Sequence, residues 1–232
     1  MIKDRFFRIE KTDTAIVQRF SEPVSALSSA SLNGGNQVIS NIINFKVDPA
    51  NIQAPDLDFP KPGTTLQCAA DSFNLQGKTL GMMTSASMNS FRSQKMTHGD
   101  LEVSAFVTNG LGNARAIGDD HDTSEGSQPP SGTINLWAFC NKSLDQNAMV
   151  EAIMMMTEAK VAMMYHLDFK SRISEKTATG TGTDCTAITC PIAGTALPYI
   201  GKHTVQGELL GKACLAVLEQ SLSWHRNNQY KR

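Results

Sequence analysis

Residues 177–191, TATGTGTDCTAITCP, interleave threonines with small residues and close the run on one aspartate, Asp184. Glycine at 180 and 182 allows close backbone approach to a ligand. Thr179, Thr181 and Thr183 display hydroxyls and N–H groups, the ingredients of a polar binding or oxyanion site. The same letters also suit a threonine-rich start to a strand that carries a bulge. Residue chemistry alone leaves both readings open. Cys185, the next residue, is a weaker candidate nucleophile, because cysteine catalysis needs a basic partner whose proximity a sequence cannot show.

Other segments that resemble reactive motifs fail on spacing. GELLGKA (207–213) has three residues between its glycines where a phosphate-binding loop has four, and no Ser or Thr follows Lys212. GLGNAR (110–115) lacks the third glycine of a dinucleotide fingerprint. The histidines at 98, 121, 166, 203 and 225 form no H-E-x-x-H pair, so no zinc site is expected. GDDHD (118–122) has cation-ligand chemistry, yet a solvated acidic loop explains it more simply. The methionines at 154–156 and 163–164 fit core filling better than a cofactor box.

These residues need elements to position them. TAIVQRF (14–20), VSALSSA (24–30) and QVISNIINFKV (37–47) read as strands, with NGG (33–35) as a tight reversal before the last. The proline-rich stretch 47–63 reads as an irregular surface crossing, and TLGMMTSASMNSF (79–91) as a short helix. In 101–108, Leu101, Val103, Ala105 and Val107 alternate with more polar positions, the period of a half-buried strand. GTINLWAFC (132–140) is a second strand, with Ile134, Leu136 and Ala138 on one face and Trp137 and Phe139 on the other. The segment 117–131 between them reads as an acidic, flexible loop. Helices are predicted over 143–168, where Ser143 and Gln146 have capping-box spacing, and over 202–227, capped by Thr204. In the first, Met149, Ala152, Ile153, Met156, Lys160 and Met163 recur at helical spacing. In the second, Leu210, Ala213, Cys214, Val217 and Leu218 form the apolar stripe, and Gly207 and Gly211 leave a small-residue face that suits packing inside or between subunits, as in a homo-oligomer.

The expectation is one α+β (mixed α/β) layered domain over residues 1–232, its mixed or largely antiparallel sheet covered by helices. At 41% hydrophobic and 19% charged residues, the chain is too apolar for intrinsic disorder. Twenty-one basic against 22 acidic residues, with no long run of either sign, leave no footprint for nucleic acid or an anionic membrane. No apolar run approaches the roughly 20 residues of a membrane span, and the N-terminus has no secretory pattern, so a cytoplasmic protein is expected. Five cysteines without a C-x-x-C pair argue against a disulfide framework or zinc ribbon.

The ordered set SSASLNGG (28–35), GMMTSASM (81–88), VTNGLGNARAIG (107–118), GTINLWAFC (132–140), TEAKVAMM (157–164), ATGTGTDC (178–185), AGT (193–195) and GKHTVQGELLG (201–211) resembles the adenosylcobinamide amidohydrolase family over nearly the whole chain. The insertion-like loop 119–131 departs from it. The resemblance implies a corrinoid-salvage enzyme that hydrolyses the amide joining the aminopropanol arm to the corrin ring, giving adenosylcobyric acid. No cofactor is evident beyond the cobalt that the substrate carries.

A corrin rim bears neutral amide arms, which call for uncharged donors and acceptors. Asn33, Gly34, Gly35, Asn113, Asn135, Thr181, Gly182 and Thr183 are the candidate substrate-binding residues. Amide hydrolysis also needs a base, oxyanion donors and an acid for the departing amine. Asp184, Glu208, His203 and Glu158 are the ionisable members of the shared blocks, with Asp184 ranked first as general base. Two alternatives remain open at this point: a corrinoid-binding carrier without chemistry, and an amidase that cleaves itself before Thr181 or Thr183 to free a nucleophilic threonine.

Overall fold

The computed structural model describes residues 1–47, 61–122 and 132–228. Among them the strands are β1 (Ile2–Lys3), β2 (Phe7–Lys11), β3 (Ala15–Ser28), β4 (Gly35–Lys46), β5 (Thr79–Thr84), β6 (Arg92–His98), β7 (Leu101–Asn109), β8 (Ala114–Arg115), β9 (Ile134–Cys140), β10 (Gly180–Thr181) and β11 (Cys185–Pro191). The helices are α1 (Pro62–Ser72), α2 (Gln146–His166) and α3 (Val205–Asn228). One sheet runs β1-β2-β3-β11-β9-β7-β6, with β4 and β5 branching from β3, while β8 and β10 pair separately. All its pairings are antiparallel except β11 with β9 and β4 with β5.

β3 is the pivot. Its first half pairs with β2 and its second half with β11, while β4 runs along its other side. The register shifts between Arg19 and Val24, and Pro23 falls in that break, where no ladder donor is required. The bend curls the sheet so that β2, β4 and β5 lie over β11, β9 and β7. Phe7, Ile16, Ile42, Leu80 and Met82 from one side meet Phe106, Trp137, Phe139 and Ala187 from the other. Trp137 Nε1 donates to Gln18 Oε1 at 2.8 Å across that gap, giving the buried indole its partner.

Each sheet's outer face carries helices. Val103, Ala105, Leu136, Ala138 and Ile188 pack under Ala152, Met156, Ala213 and Val217 of α2 and α3. On the opposite side, Val17 and Ile43 pack under Ala69 and Ala70 of α1. The order is helix, sheet, sheet, helix, an α+β arrangement with a mostly antiparallel sheet. No helix among the described residues is long and apolar enough to cross a membrane.

The strand expectations hold for β4, β7 and β9, except that β7, expected half-buried, is buried on both faces, and the two strands read at 14–30 are halves of β3. NGG is the β3–β4 reversal, with Asn33 and Gly35 at positive φ of 53° and 79°. The helix expected over 79–91 is instead β5, a bend and a 3-10 turn at Met88–Ser90. Leu80 and Met82 point into the inter-sheet core with Gly81 between them, which is strand period, and a Cβ on Gly81 would stand 2.9 Å from Leu32 Cβ and 3.1 Å from Leu66 Cβ. α2 begins at Gln146 with Asp145 as its N-cap and no side-chain cap bond, so the Ser143 capping box does not form. For α3, the Thr204 hydroxyl accepts from Gly207 N at 3.0 Å, as expected. Of the stretches read as irregular, 48–60 and 123–131 lie outside the described residues.

Candidate active site

Five of the shared blocks meet around the starts of β9 and β11. Ser29 N donates to Thr186 O, and Leu32 exchanges backbone hydrogen bonds with Gly81. Gly110 N donates to Thr133 O, and a Cβ on Gly110 would stand 3.1 Å from the Cβ of Ala86. Gly182 N donates to Asn113 O at 3.1 Å, and the Thr133 and Thr183 hydroxyls lie 2.7 Å apart. Serine, threonine, asparagine and glycine from distant parts of the chain thus line one edge of the two sheets.

Asp184 ties this edge together. Its Oδ2 accepts Lys160 Nζ at 2.6 Å and Thr181 N at 3.0 Å; its Oδ1 accepts Ile134 N at 2.9 Å and Thr181 Oγ1 at 2.5 Å. Side-chain exposure is 11% for Asp184 and 12% for Lys160. An ionised carboxylate has about four lone-pair positions, and all are in use, so a water molecule finds no acceptor there. The four bonds join the start of β9, the 180–184 turn and α2. Gly180 and Gly182 follow from this packing: a Cβ on the first would collide with Asp184 Oδ2, and on the second would lie 2.6 Å from Asn113 Nδ2. The approach these glycines permit is to neighbouring parts of the chain.

Beneath the edge runs a buried polar row. Thr108 pairs across strands with Asn135, and Asn135 with Cys185, all facing the inter-sheet layer. Asn135 Nδ2 donates to Asn44 Oδ1 at 2.7 Å and to Met83 O at 3.1 Å, and Asn44 Nδ2 donates to Thr108 Oγ1 at 2.7 Å. Asn135 Oδ1 and Asn109 Oδ1 are buried without a partner. Burial pushes the Cys185 thiol up to about 11, a hydrogen bond with Ser29 offsetting part of the rise, so it stays protonated at neutral pH.

A lobe beside the edge is pinned through Asp119. Its carboxylate accepts from Ala116 N at 2.7 Å, Ser171 Oγ at 2.5 Å and Ser174 Oγ at 2.6 Å, clasping 115–119 to 171–174. The Ser171 hydroxyl first, then that of Ser174, draw the Asp119 carboxyl down to about 2.

The other sequence candidates lie elsewhere. Glu158 pairs with Lys202, and Glu208 with Lys212, on exposed helix surface. His203 lies in the turn before α3, near Gly201. None of the three shares a hydrogen bond or ion pair with Asp184. Asn33 holds the β3–β4 reversal by donating to Thr79 O at 2.7 Å, and Gly34 packs on the Ala30 carbonyl, where a side chain has no room. Gly35 supplies the positive φ. Thr181 and Thr183 stand in the Asp184 turn, and Asn135 lies wholly within the core. Sequence reading missed Lys160 as the partner of Asp184. The signal was there: a lysine on an otherwise apolar helix stripe needs a buried acid. Among the described residues no cluster of three or more His, Cys, Asp or Glu could hold a metal ion.

Residues 2–230 match the family of adenosylcobinamide amidohydrolases. An uncharacterized protein of Methanocaldococcus jannaschii is 32% identical over 148 residues, a match spanning 57% of this chain and 58% of that protein. Among solved structures, a protein from Pyrococcus horikoshii OT3 aligns over 92% of this chain and 77% of its own, at 9% identity and TM-score 0.46. A Burkholderia sp. beta-aminopeptidase aligns over 93% and 80%, at 11% identity and TM-score 0.42. The L-aminopeptidase D-Ala-esterase/amidase of Ochrobactrum anthropi, described as a new variant among the Ntn hydrolase fold, aligns over 94% and 82%, at 11% identity and TM-score 0.40.

Proposed function

The chain belongs to the adenosylcobinamide amidohydrolase family, a family of C–N hydrolases, and we propose that it hydrolyses the amide joining aminopropanol to the corrin ring of adenosylcobinamide, releasing adenosylcobyric acid and aminopropanol. The observation that carries this reading is the convergence of five Ser/Thr/Asn/Gly-rich segments on one sheet edge. Neutral donors and acceptors in that density suit a ligand rimmed with uncharged amide arms. Cobalt enters with the substrate.

Within this reading Asp184 is a positioning residue. With four hydrogen bonds already on its carboxylate, it cannot take a proton from water unless one of them breaks first. What it supplies is geometry: it fixes the starts of β9 and β11 relative to α2, and so the wall to which Thr181, Thr183 and Thr133 belong.

Incubation of the protein with adenosylcobinamide, followed by analysis for aminopropanol and adenosylcobyric acid, tests the proposal. Stoichiometric release of both, with turnover, is expected. A shift in corrinoid absorbance without products would make the chain a carrier. Absence of both binding and release would remove the corrinoid reading.

A further inference from the structure

We propose that the side-chain amide of Asn113 is the oxyanion donor of this site, an inference that rests on the amidohydrolase reading. Asn113 is only 7% exposed, yet its Nδ2 has no hydrogen-bond acceptor among the described residues. The Nδ2 is not one of the sealed side-chain atoms without a partner, which are Gln18 Nε2, Asn109 Oδ1 and Asn135 Oδ1, so a ligand can reach it. A donor that is reachable, unpartnered and held in one orientation is available to a ligand.

The amide is also oriented. Arg115 Nε donates to Asn113 Oδ1 at 3.3 Å, which assigns the oxygen to the arginine side and leaves the NH2 on the other. Arg115 is itself held by the Asp122 carboxylate and by the Asp120 carbonyl at 3.2 Å. The backbone of Asn113 is fixed through its carbonyl, which accepts from Gly182 N at 3.1 Å. Glycines flank the residue where any side chain would intrude. A Cβ on Gly132 would lie 2.7 Å from Asn113 N, and a Cβ on Gly182 would lie 2.6 Å from the Nδ2 itself. This is a donor whose direction is set before any ligand arrives, the property that makes electrostatic stabilisation effective. The neighbouring hydroxyls are committed within the protein, that of Thr183 lying 3.0 Å from Gly132 O as donor and 2.7 Å from that of Thr133, so they do not compete for the same acceptor.

The step the amide serves is the addition of water to the scissile carbonyl. Water oxygen bonds to the carbonyl carbon, and the C=O π pair moves onto the carbonyl oxygen, which then accepts from Asn113 Nδ2. As the tetrahedral species collapses, the C–N bond breaks and the amine nitrogen takes up the proton that water gave up. The sum is amide plus water to carboxylic acid plus amine. Asn113 neither gains nor loses a proton, because it stabilises only the charge that develops.

Two variants test this. Asn113→Asp keeps an acceptor for Arg115 and removes both donors, so kcat on adenosylcobinamide should fall by about 10²–10³-fold while KM changes less than about threefold. Gly182→Ala drives a Cβ at the Nδ2 and displaces the amide without touching its chemistry. The same kcat-selective loss is expected, with thermal melting close to wild type. A kcat within threefold of wild type in a folded Asn113→Asp protein overturns the assignment. So does a loss confined to KM, which would make Asn113 a contact for a rim amide. If Asn113→Asp fails to fold, a Gly182→Ala protein with wild-type kcat overturns it equally. A wild-type protein that releases no aminopropanol sinks the amidohydrolase reading itself, and so is distinguishable from failure of this inference.

Discussion

Asp184 with Lys160 and Glu208 with Lys212 are the same chemical pair in two settings. At the sheet edge the carboxylate is 11% exposed, takes four donors and joins three chain segments. On α3 the carboxylate is 55% exposed and meets one lysine a single helical turn away. An acid in a shared sequence block therefore carries no fixed meaning. What decides is how many donors converge on it and how much water is excluded, and both follow from which distant segments the fold brings to that point.

The contrast is broken most directly at Asp184. Asp184→Asn removes the charge opposite Lys160 and turns an NH2 toward donors at Thr181, Ile134 or Lys160. A loss of about 3–5 kcal/mol in unfolding free energy is expected from urea denaturation, the scale for removing one partner of a buried pair. Lys160→Met combined with Asp184→Leu should recover only part of that loss, because the N–H groups of Ile134 and Thr181 stay unpaired. Wild-type stability in Asp184→Asn would erase the difference between the two settings.

The sequence carried much of this fold wherever a single element decides its own pattern. β7 and β9 show the period of two through Leu101, Val103, Ala105 and Val107 and through Ile134, Leu136 and Ala138, while their other face is buried as well, one side meeting α2 and α3 and the other the second sheet. Thr204 caps α3 through its own neighbouring backbone. What stayed hidden depends on partners far away in the chain. Residues 79–84 have the small and methionine-rich letters of a helix, and only Leu32 and Leu66 pressing on Gly81 show why they are extended. The glycines at 180 and 182 were legible as close-approach positions. That they approach Asp184 and Asn113 was not, since the Thr-Gly run says nothing about Asn113. Lys160 was visible as an oddity on an apolar stripe, but its acid lies 24 residues further along.

Glycines sharpen the comparison at the next scale. Gly207 and Gly211 share the face of α3 that reads as a small-residue stripe, yet only the first is bound by its surroundings. A Cβ on Gly207 would enter the carbonyl oxygens of Gly201 and Ile200, whereas on Gly211 it would meet only Met155 Cε at 3.9 Å. Gly207→Ala should destabilise by about 1–3 kcal/mol. Gly211→Ala should stabilise by about 0.5–1 kcal/mol, the helix-propensity gain. Calorimetric melting of the two proteins should therefore show shifts of opposite sign. Equal shifts would mean the loop before α3 yields to the added methyl.

Acid separates the clasp at Asp119 from the rest of the edge. Its folded value of about 2 lies below the ordinary aspartate value of about 3.9. The clasp therefore contributes fully above about pH 4, and its contribution is lost as pH falls from there through about 2. Hydrogen-exchange protection of the Ala116 amide, which donates to this carboxylate, should fall across that window. Asp119→Asn should remove the pH dependence. Protection that is flat from pH 5 to pH 2 in the wild type would mean that the serines do not prefer the ionised acid.

The smallest expected effect completes the contrast. Lys212, through its hydrogen bond and then its charge, holds the Glu208 carboxyl below the usual glutamate range. That direction alone would imply stability lost on acidification. However, the group faces solvent, where water replaces the lysine at little cost and salt screens what remains. Glu208→Gln should leave the urea midpoint unresolved from wild type, and Glu158→Gln, facing Lys202 in the same exposed manner, should do likewise. Both proteins should also turn over adenosylcobinamide within about twofold of wild type, since neither side chain touches the sheet edge that gathers the Ser/Thr/Asn/Gly segments. A drop of tenfold or more in kcat for Glu208→Gln, at unchanged stability, would move the chemistry to the α3 surface and make the buried pair at Asp184 a scaffold only.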